Sequence, residues 1–233
     1  MDENSTIIES TAPSHLYAHP LAKAFLNKVY AWMALSMLLT AGVAIYSTHN
    51  DSWMLWIAEH TLLLCLSTLG IVLFMVFGSR LLTAGAMGVL LLVFAGLEGL
   101  LFGPLLTLYT QESLGITFAS TAGTFGAMSL YGAVTKRNLA PLGRAMVMML
   151  LGLIVCLIIN VFWGNGIFDF ILSVVGVVDF SILTAYDTQK ILLEGLALEG
   201  EARSKGAVMG ALTLYLDFIN LFLYLLRFLG DRK

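Results

Sequence analysis

Four acidic side chains lie within long apolar segments of this 233-residue chain. Glu98 is in the third such segment, Asp179 and Asp187 are in the sixth, and Asp217 is in the seventh, "GALTLYLDFINLFLYLLRFLG" at 210–230. A bare carboxylate at the centre of a bilayer costs about 2.5–3.5 kcal/mol on insertion scales. No lysine or arginine shares the depth of these acids. We therefore expect them to face a bundle interior or a water cavity, to be protonated, or to pair with one another.

The spacing of these residues limits which of them can act together. Asp179 and Asp187 are eight residues apart on one predicted helix, about 12 Å along its axis and about 80° apart around it. One cavity could contain both carboxyls, but they cannot share a proton. Asp217 and Asn220 are three residues apart and share a helix face. Arg80 lies on the same membrane side as Asp187, so it is a candidate ion-pair partner, with solvent or lipid phosphate as the alternative.

The composition places these acids in a membrane protein. Hydrophobic residues make up 59% of the chain and charged residues 12%. An average soluble domain has roughly 45–50% apolar residues and about 25% charged residues. Seven runs reach the length of about 20 mainly apolar residues that a spanning helix needs. They cover residues 26–47, 54–77, 81–108, 114–134, 145–163, 167–192 and 207–229. The prediction is an all-α polytopic membrane protein with seven transmembrane helices, and the absence of a basic patch argues against nucleic acid as a partner.

The chain divides into two parts. Residues 1–20 are polar and are predicted to form a disordered tail, whereas residues 21–233 are predicted to form one transmembrane domain. Within this domain, Gly99-xxx-Gly103 and Ala122-xxx-Gly126 have the small-residue spacing that lets membrane helices approach closely. The third helix is expected to end or kink near Pro104.

The positive charges predict the orientation. Lys23 and Lys28 precede the first helix, and the other basic residues before the seventh run fall in or beside alternate connections. These are Arg80; Lys136, Arg137 and Arg144; and Lys190, Arg203 and Lys205. The positive-inside rule therefore places the N-terminus in the cytoplasm. If the seventh run crosses the membrane, Arg227, Arg232 and Lys233 lie outside, against the rule. If it dips in and returns, or lies off the normal lipid-facing pattern, these charges can stay inside.

Three motifs resemble a known family. "AYDTQK" at 185–190 and "LTLYLDFINLFLYLLRFLG" at 212–230 closely resemble the Bax-inhibitor-type membrane proteins, and "GAMSLYGAVTKRNL" at 126–139 resembles their bacterial members. The resemblance implies a multi-pass protein of the bacterial cytoplasmic (inner) membrane. It also implies a C-terminal helix at the centre, surrounded by the other six. Lipid would then not touch Asp217.

The resemblance also implies a function. The family includes calcium-leak proteins in which aspartates matching Asp187 and Asp217 share a proton, with a basic residue matching Arg80 as their partner. Two carboxyls within hydrogen-bond range cannot both ionise cheaply, so the pair titrates as a unit. Carboxylates also bind calcium, so the two aspartates are candidate transient calcium contacts, although no metal site or cofactor is firmly assigned. The expected function is a pH-responsive cation leak, with calcium favoured.

Other residues are candidates for the ion pathway. Glu98 resembles a third-helix acid found in many family members, and Asp179 and Asn220 are the remaining polar candidates within the spans. The lipid bilayer and cations are the expected partners.

Two other function classes are alternatives to a cation leak. The first is a non-catalytic regulator that binds a membrane protease or a stress-response complex, with the N-terminal tail as the contact. The second is an enzyme, because Tyr186-Asp187 is similar to the "YD" of intramembrane aspartyl proteases. Those enzymes have GxGD at the second acid, whereas Asp217 follows "LYL". We therefore predict that the chain is not an enzyme.

Overall fold

The computed structural model describes residues 20–233, so the predicted tail lies, apart from Pro20, outside the described residues. Seven α-helices account for most of the described chain. They are α1 Pro20–Thr48, α2 Asp51–Phe77, α3 Ala84–Leu108, α4 Gln111–Val134, α5 Ala140–Trp163, α6 Gly166–Ala197 and α7 Gly200–Leu229. Each helix contains most or all of one predicted run, and no named strand occurs between residues 20 and 233. The predicted all-α polytopic fold is confirmed.

Six of the seven helices are long and apolar enough to cross a membrane, and α4 is the exception. The sequence of α4, "QESLGITFASTAGTFGAMSLYGAV", contains many serine, threonine and glycine residues, which lower its mean hydropathy. The buried positions of α4 include Thr117, Thr121 and Ser129. This helix packs along α6 and α7, so its polar side chains face protein instead of lipid.

Polar side chains cap four of the helices. Asn50, Thr83, Thr110 and Asn165 precede α2, α3, α4 and α6, and each accepts a hydrogen bond from a backbone N–H of the first turn. Such caps satisfy amide groups that have no partner inside the helix. α3 does not end at Pro104 but continues to Leu108.

α7 is the most buried of the apolar helices. It packs extensively against α1, α3, α4 and α6, whereas α2 packs mainly on α3 and α5 packs on α6. The expectation that all six helices surround α7 is therefore too broad, because four helices form its main contacts. The packing of these four helices still encloses Asp217, which is 5% exposed, within the protein.

Small residues bring neighbouring helices together, although not at every predicted position. A Cβ atom on Gly99 would come within 2.7 Å of the Thr40 carbonyl oxygen, so the predicted close approach of α3 is confirmed, with α1 as its partner. The prediction for Gly126 is wrong, because a Cβ there would meet open space. The close approach of α4 occurs instead at Gly132, which lies directly against the backbone of Ala185 in α6.

The seventh helix crosses the whole bundle. α7 is uninterrupted over 30 residues, which is about 45 Å at 1.5 Å per residue. Its C-terminal extension pairs with the α3–α4 connection: Thr110 N donates to Asp231 O at 3.1 Å, and Lys233 N donates to Leu108 O at 3.0 Å. The alternative in which run seven dips in and returns is therefore wrong. The C-terminus lies at the end of the bundle opposite the α6–α7 connection.

The basic residues at this end have local partners. Arg227 Nη1 lies 3.9 Å from Asp169 Oδ1, and Asn160 Nδ2 donates to the same carboxylate oxygen at 2.6 Å. The Arg232 guanidinium lies 6.0 Å from the centroid of the Tyr109 ring. Two of the three charges that depart from the positive-inside rule are thus matched by an acid or an aromatic face.

Candidate functional site

The two aspartates of the resembling motifs meet between α6 and α7. These helices form an antiparallel hairpin in which Leu198 and Glu199 are the only residues between them. The side chains of Asp187 and Asp217 are in hydrogen-bond contact across the interface. One of the carboxyls must carry a proton to donate this bond, because an ionised carboxylate only accepts. Asp217 Oδ2 has no partner among residues 20–233.

The residues beside Asp187 hold it in place from two other helices. The preceding Ala185 lies against Gly132 of α4, and the Tyr186 ring lies directly over Gly143 of α5. A larger residue at either glycine would displace this turn of α6. The motif "AYDTQK" therefore combines a carboxyl directed at α7 with neighbours that pack on α4 and α5.

The residue that follows Asp187 links α6 to α4 and α1 through hydroxyl groups. The Thr188 hydroxyl lies 2.9 Å from the Ser129 hydroxyl of α4, and Ser129 also contacts the Tyr30 hydroxyl of α1. A hydroxyl chain therefore joins α6, α4 and α1 next to the aspartate pair.

Gln189 attaches α6 to the α4–α5 connection. Its Nε2 donates to Arg137 O at 2.9 Å, and its Oε1 accepts from Leu139 N at 2.9 Å. Lys190 and Glu194 lie 3.9 Å apart on the exposed face of α6, and the charges of both side chains act on Asp187.

Asp179 is fully buried on α6, with 0% exposure. Neither of its carboxyl oxygens has a hydrogen-bond partner within the described chain. It is near enough to act electrostatically on Asp217 and on Tyr224. Asp179 therefore belongs to the same buried acidic region as the Asp187–Asp217 pair, on the side toward the C-terminal end of α7.

Glu98 belongs to a different polar cluster. Its carboxyl contacts the Thr68 hydroxyl of α2, and its charge acts on Tyr215 of α7. Tyr215 is 0% exposed, and its hydroxyl lies 2.8 Å from Thr40 Oγ1 of α1. Tyr215 and Asp217 are two residues apart and point about 200° apart around α7, so Glu98 lies on the other side of the central helix from the aspartate pair.

The two remaining predicted residues lie away from the pair. Asn220 donates to Leu216 O at 2.8 Å and lines a cavity of about 280 Å³ at the C-terminal end of α7, together with Tyr224, Arg227 and Arg232. Arg80 is exposed in the α2–α3 connection. The ion pairs found within residues 20–233 do not include one between Arg80 and Asp187.

Sequence reasoning missed several polar groups of these clusters. Tyr215, Thr40, Thr188 and Ser129 are all buried, yet in the sequence they are ordinary tyrosine, threonine and serine residues in apolar helices. The signal available was that Tyr215, Thr188 and Ser129 fall inside the three resembling motifs. Thr40 of α1 is 175 residues away from its partner Tyr215 in sequence, and nothing local marks it.

The site offers few ligands for a resident metal. Among residues 20–233, no three His, Cys, Asp or Glu side chains come together as a metal-binding group. Asp187 and Asp217 supply two carboxyls, whereas calcium takes six to eight oxygen ligands. Any calcium contact here would need backbone, hydroxyl or water oxygens as well.

Comparison with known proteins agrees with the motifs. The family described as "Inhibitor of apoptosis-promoting Bax1" matches residues 22–233. An uncharacterized protein of Deinococcus radiodurans is 39% identical over 213 residues, covering 90% of this chain and 91% of the relative. Inner membrane protein YbhL of Escherichia coli K12 is 38% identical over 215 residues, covering 90% and 92%. With the six apolar helices, these relatives identify a multi-pass protein of the bacterial inner membrane.

Proposed function

Because the chain belongs to the Bax-inhibitor family, we propose that it is a pH-responsive cation leak channel with calcium as its favoured ion. The observation that carries the proposal is the contact between the Asp187 and Asp217 carboxyls at the α6–α7 interface. Intramembrane acids that face a protein interior are typical of ion and proton pathways. The proposed role is non-catalytic.

The proposed gate is the proton shared by the pair. While the proton is present, a hydrogen bond joins α6 to α7. When it leaves, two carboxylates repel each other at close range, and the hairpin separates unless a cation or Arg80 neutralises them. Calcium and protons would therefore compete for the same oxygens. Since Arg80 is exposed in the present structure, it would act only after α6 or the α2–α3 connection moves.

The proposed path continues from the pair toward the C-terminal end of α7. Asp179 supplies the next unpartnered carboxyl, and Asn220 and Tyr224 lead into the cavity of about 280 Å³. Arg227 and Arg232 line that cavity and would slow cations electrostatically at this end. Glu98 is left off the path, because it contacts Thr68 on the far side of α7.

The test is calcium entry into liposomes that contain the purified protein, measured with an internal fluorescent indicator across a series of pH values. Wild-type flux should vary with pH. Asp187→Asn and Asp217→Asn should each give a flat pH profile, because either change removes the shared acidic proton while preserving side-chain size. Glu112→Gln, at an exposed position of α4, is the matched control and should retain the wild-type profile.

The outcomes separate the channel from its gate. Wild-type flux equal to that of empty liposomes would overturn the channel proposal and leave the non-catalytic regulator as the function to test, by crosslinking to membrane proteins in intact cells. Flux with an unchanged pH profile in both Asn variants would overturn only the role of the pair.

A further inference from the structure

An apolar slot enters the bundle between α1 and α4 in the half of the membrane nearer the C-terminus. Both helices pack on α7, but they are not among the helix pairs that pack extensively on each other. The slot has a volume of about 240 Å³, and its lining includes Met37, Ala41, Phe102, Phe118 and Phe222. This lining is almost entirely apolar, and the gap between α1 and α4 opens toward lipid.

A polar cavity adjoins the slot on the side toward the C-terminus. This polar mouth has a volume of about 320 Å³ and shares Ile45, Leu106 and Gln111 with the slot. Its lining also contains the polar side chains of His49 and Lys233. An apolar inner cavity therefore adjoins an outer cavity whose lining carries hydrogen-bonding groups and the Lys233 ammonium.

The donors of the polar mouth are held in place and available. Lys233 N donates to Leu108 O at 3.0 Å, which fixes the backbone that carries the lysine side chain. No described residue forms an ion pair or hydrogen bond with the Lys233 ammonium. The His49 Nδ1–H donates to Ile45 O at 2.8 Å, so Nε2 of the neutral ring is an acceptor and not a further donor. The amide of exposed Gln111 adds a further donor.

The dimensions match one leaflet of a bilayer. Met37 and Ile45 mark the length of the slot on α1 and are about 12 Å apart along the helix, and His49 lies about 6 Å further on. Half of a hydrocarbon core of about 30 Å is about 15 Å. A lipid chain of one leaflet would thus extend from the polar mouth to the inner end of the slot, which lies near the bilayer centre.

We propose that the apolar slot and the polar mouth together bind one glycerophospholipid of the leaflet nearer the C-terminus. Its acyl chain lies in the slot and its phosphate at the polar mouth. The lateral gap admits the chain directly from the bilayer, and Lys233 and Gln111 bind the phosphodiester. This site is separate from the Asp187–Asp217 pair and does not depend on the proposed channel activity.

The test uses phosphatidylglycerol with a photoreactive diazirine in its acyl chain, added to the protein in nanodiscs of phosphatidylethanolamine and phosphatidylglycerol. After illumination, mass spectrometry of peptides should place the label on α1 and α4 residues that line the slot. Ala41→Phe fills the slot and should lower labelling severalfold. Ala119→Phe is the matched control, because residue 119 is exposed on α4 but does not line the slot, and it should label like wild type.

A second arm tests the polar mouth. Lys233→Gln should reduce labelling by phosphatidylglycerol severalfold, whereas Lys136→Gln, at an exposed position on the other membrane side, should not. Labelling by a diacylglycerol probe that equals labelling by phosphatidylglycerol would overturn the assignment of the phosphate.

Three other results would overturn the site itself: label spread equally over α2 and α5, label unaffected by Ala41→Phe, or crosslinked dimers joined through the slot. Size-exclusion elution checks that each variant is folded. Ala41→Leu, a smaller filling change, replaces Ala41→Phe if the latter aggregates.

Discussion

The three aspartates of the α6–α7 interface differ in what each carboxyl contacts. Asp187 and Asp217 contact each other, whereas both oxygens of Asp179 have no partner within the described chain. A proton on the pair therefore forms a bond between helices, but a proton on Asp179 forms none. The proposed function assigns the first arrangement to gating and the second to transient contact with a passing cation.

We predict that Asp179→Asn lowers calcium flux severalfold but preserves its dependence on pH. The amide removes the negative charge that attracts the cation, while the Asp187–Asp217 proton remains. The liposome assay measures both quantities in one titration. A flat pH profile for Asp179→Asn, like that expected for Asp187→Asn, would show that the two roles are not separate.

A second prediction concerns the buried hydroxyls on the other face of α7. Thr40 Oγ1 lies 2.8 Å from Ala95 O and 2.8 Å from the Tyr215 hydroxyl. Because the threonine proton goes to a carbonyl, the tyrosine donates to Thr40. Tyr215→Phe removes that donor and should cost about 0.5–1.5 kcal/mol. Thr40→Val leaves the tyrosine hydroxyl buried without its acceptor and should cost about 1–3 kcal/mol.

Thermal unfolding in detergent measures this comparison. The melting temperature should fall further for Thr40→Val than for Tyr215→Phe, although valine is close to threonine in size. The reverse order would mean that the Thr40–Tyr215 hydrogen bond contributes little and that ring packing against Phe94, at 5.5 Å between centroids, dominates.

At the scale of helices, the contact between α4 and α6 sets the position of Asp187. Gly132 lies against the backbone of Ala185, two residues before the aspartate. A backbone cannot move aside as a flexible side chain can, so any side chain at residue 132 must push the helices apart. In lipid, such close approaches supply much of the packing attraction between helices.

We predict that Gly132→Ala destabilises the protein by about 1–3 kcal/mol, as overpacking does in well-packed cores. Gly126→Ala is the matched control on the same helix, because the added methyl group enters open space. Melting temperatures in detergent should fall for the first variant and stay near wild type for the second. Equal melting temperatures for the two variants would contradict the close approach at Gly132.

At the scale of the whole molecule, the C-terminus lies on the membrane side that carries little positive charge. α7 crosses completely, and the chain after it pairs with the α3–α4 connection. Arg227 is close to Asp169, and Arg232 lies over the Tyr109 ring. These local partners lower the cost of a basic C-terminal segment on this membrane side. Lys233 and Gln111 at this face also line the polar mouth of the proposed lipid site.

We predict opposite accessibility for two single cysteines placed in a background without Cys65 and Cys156. Lys233→Cys should react with a membrane-impermeant maleimide added outside intact cells, because α7 spans the bilayer. Lys136→Cys, in the α4–α5 connection, should react only after the membrane is permeabilised. Reaction of both cysteines from the same side would contradict the crossing of α7.

Local properties of the sequence were sufficient for much of the fold. The number of helices and their approximate bounds follow from apolar length, because every spanning segment must satisfy its backbone hydrogen bonds within itself. The charge pattern predicted the orientation, and three motifs indicated the family, which is confirmed over residues 22–233. The acids within the membrane were also recognisable, because burying each of them in lipid would be expensive.

Only the tertiary structure decided which faces meet. Lipid chains are as apolar as a leucine side chain, so an apolar pattern does not tell which side of a membrane helix faces protein. For that reason the sequence did not distinguish Gly126 from Gly132 or reveal the contact of Thr40 with Tyr215. It also grouped Glu98 with Asp179 and Asn220 as candidates for the ion pathway, although Glu98 lies on the other side of α7 from the aspartate pair. Whether α7 crosses or returns depends on contacts with the α3–α4 connection, about 120 residues away in sequence.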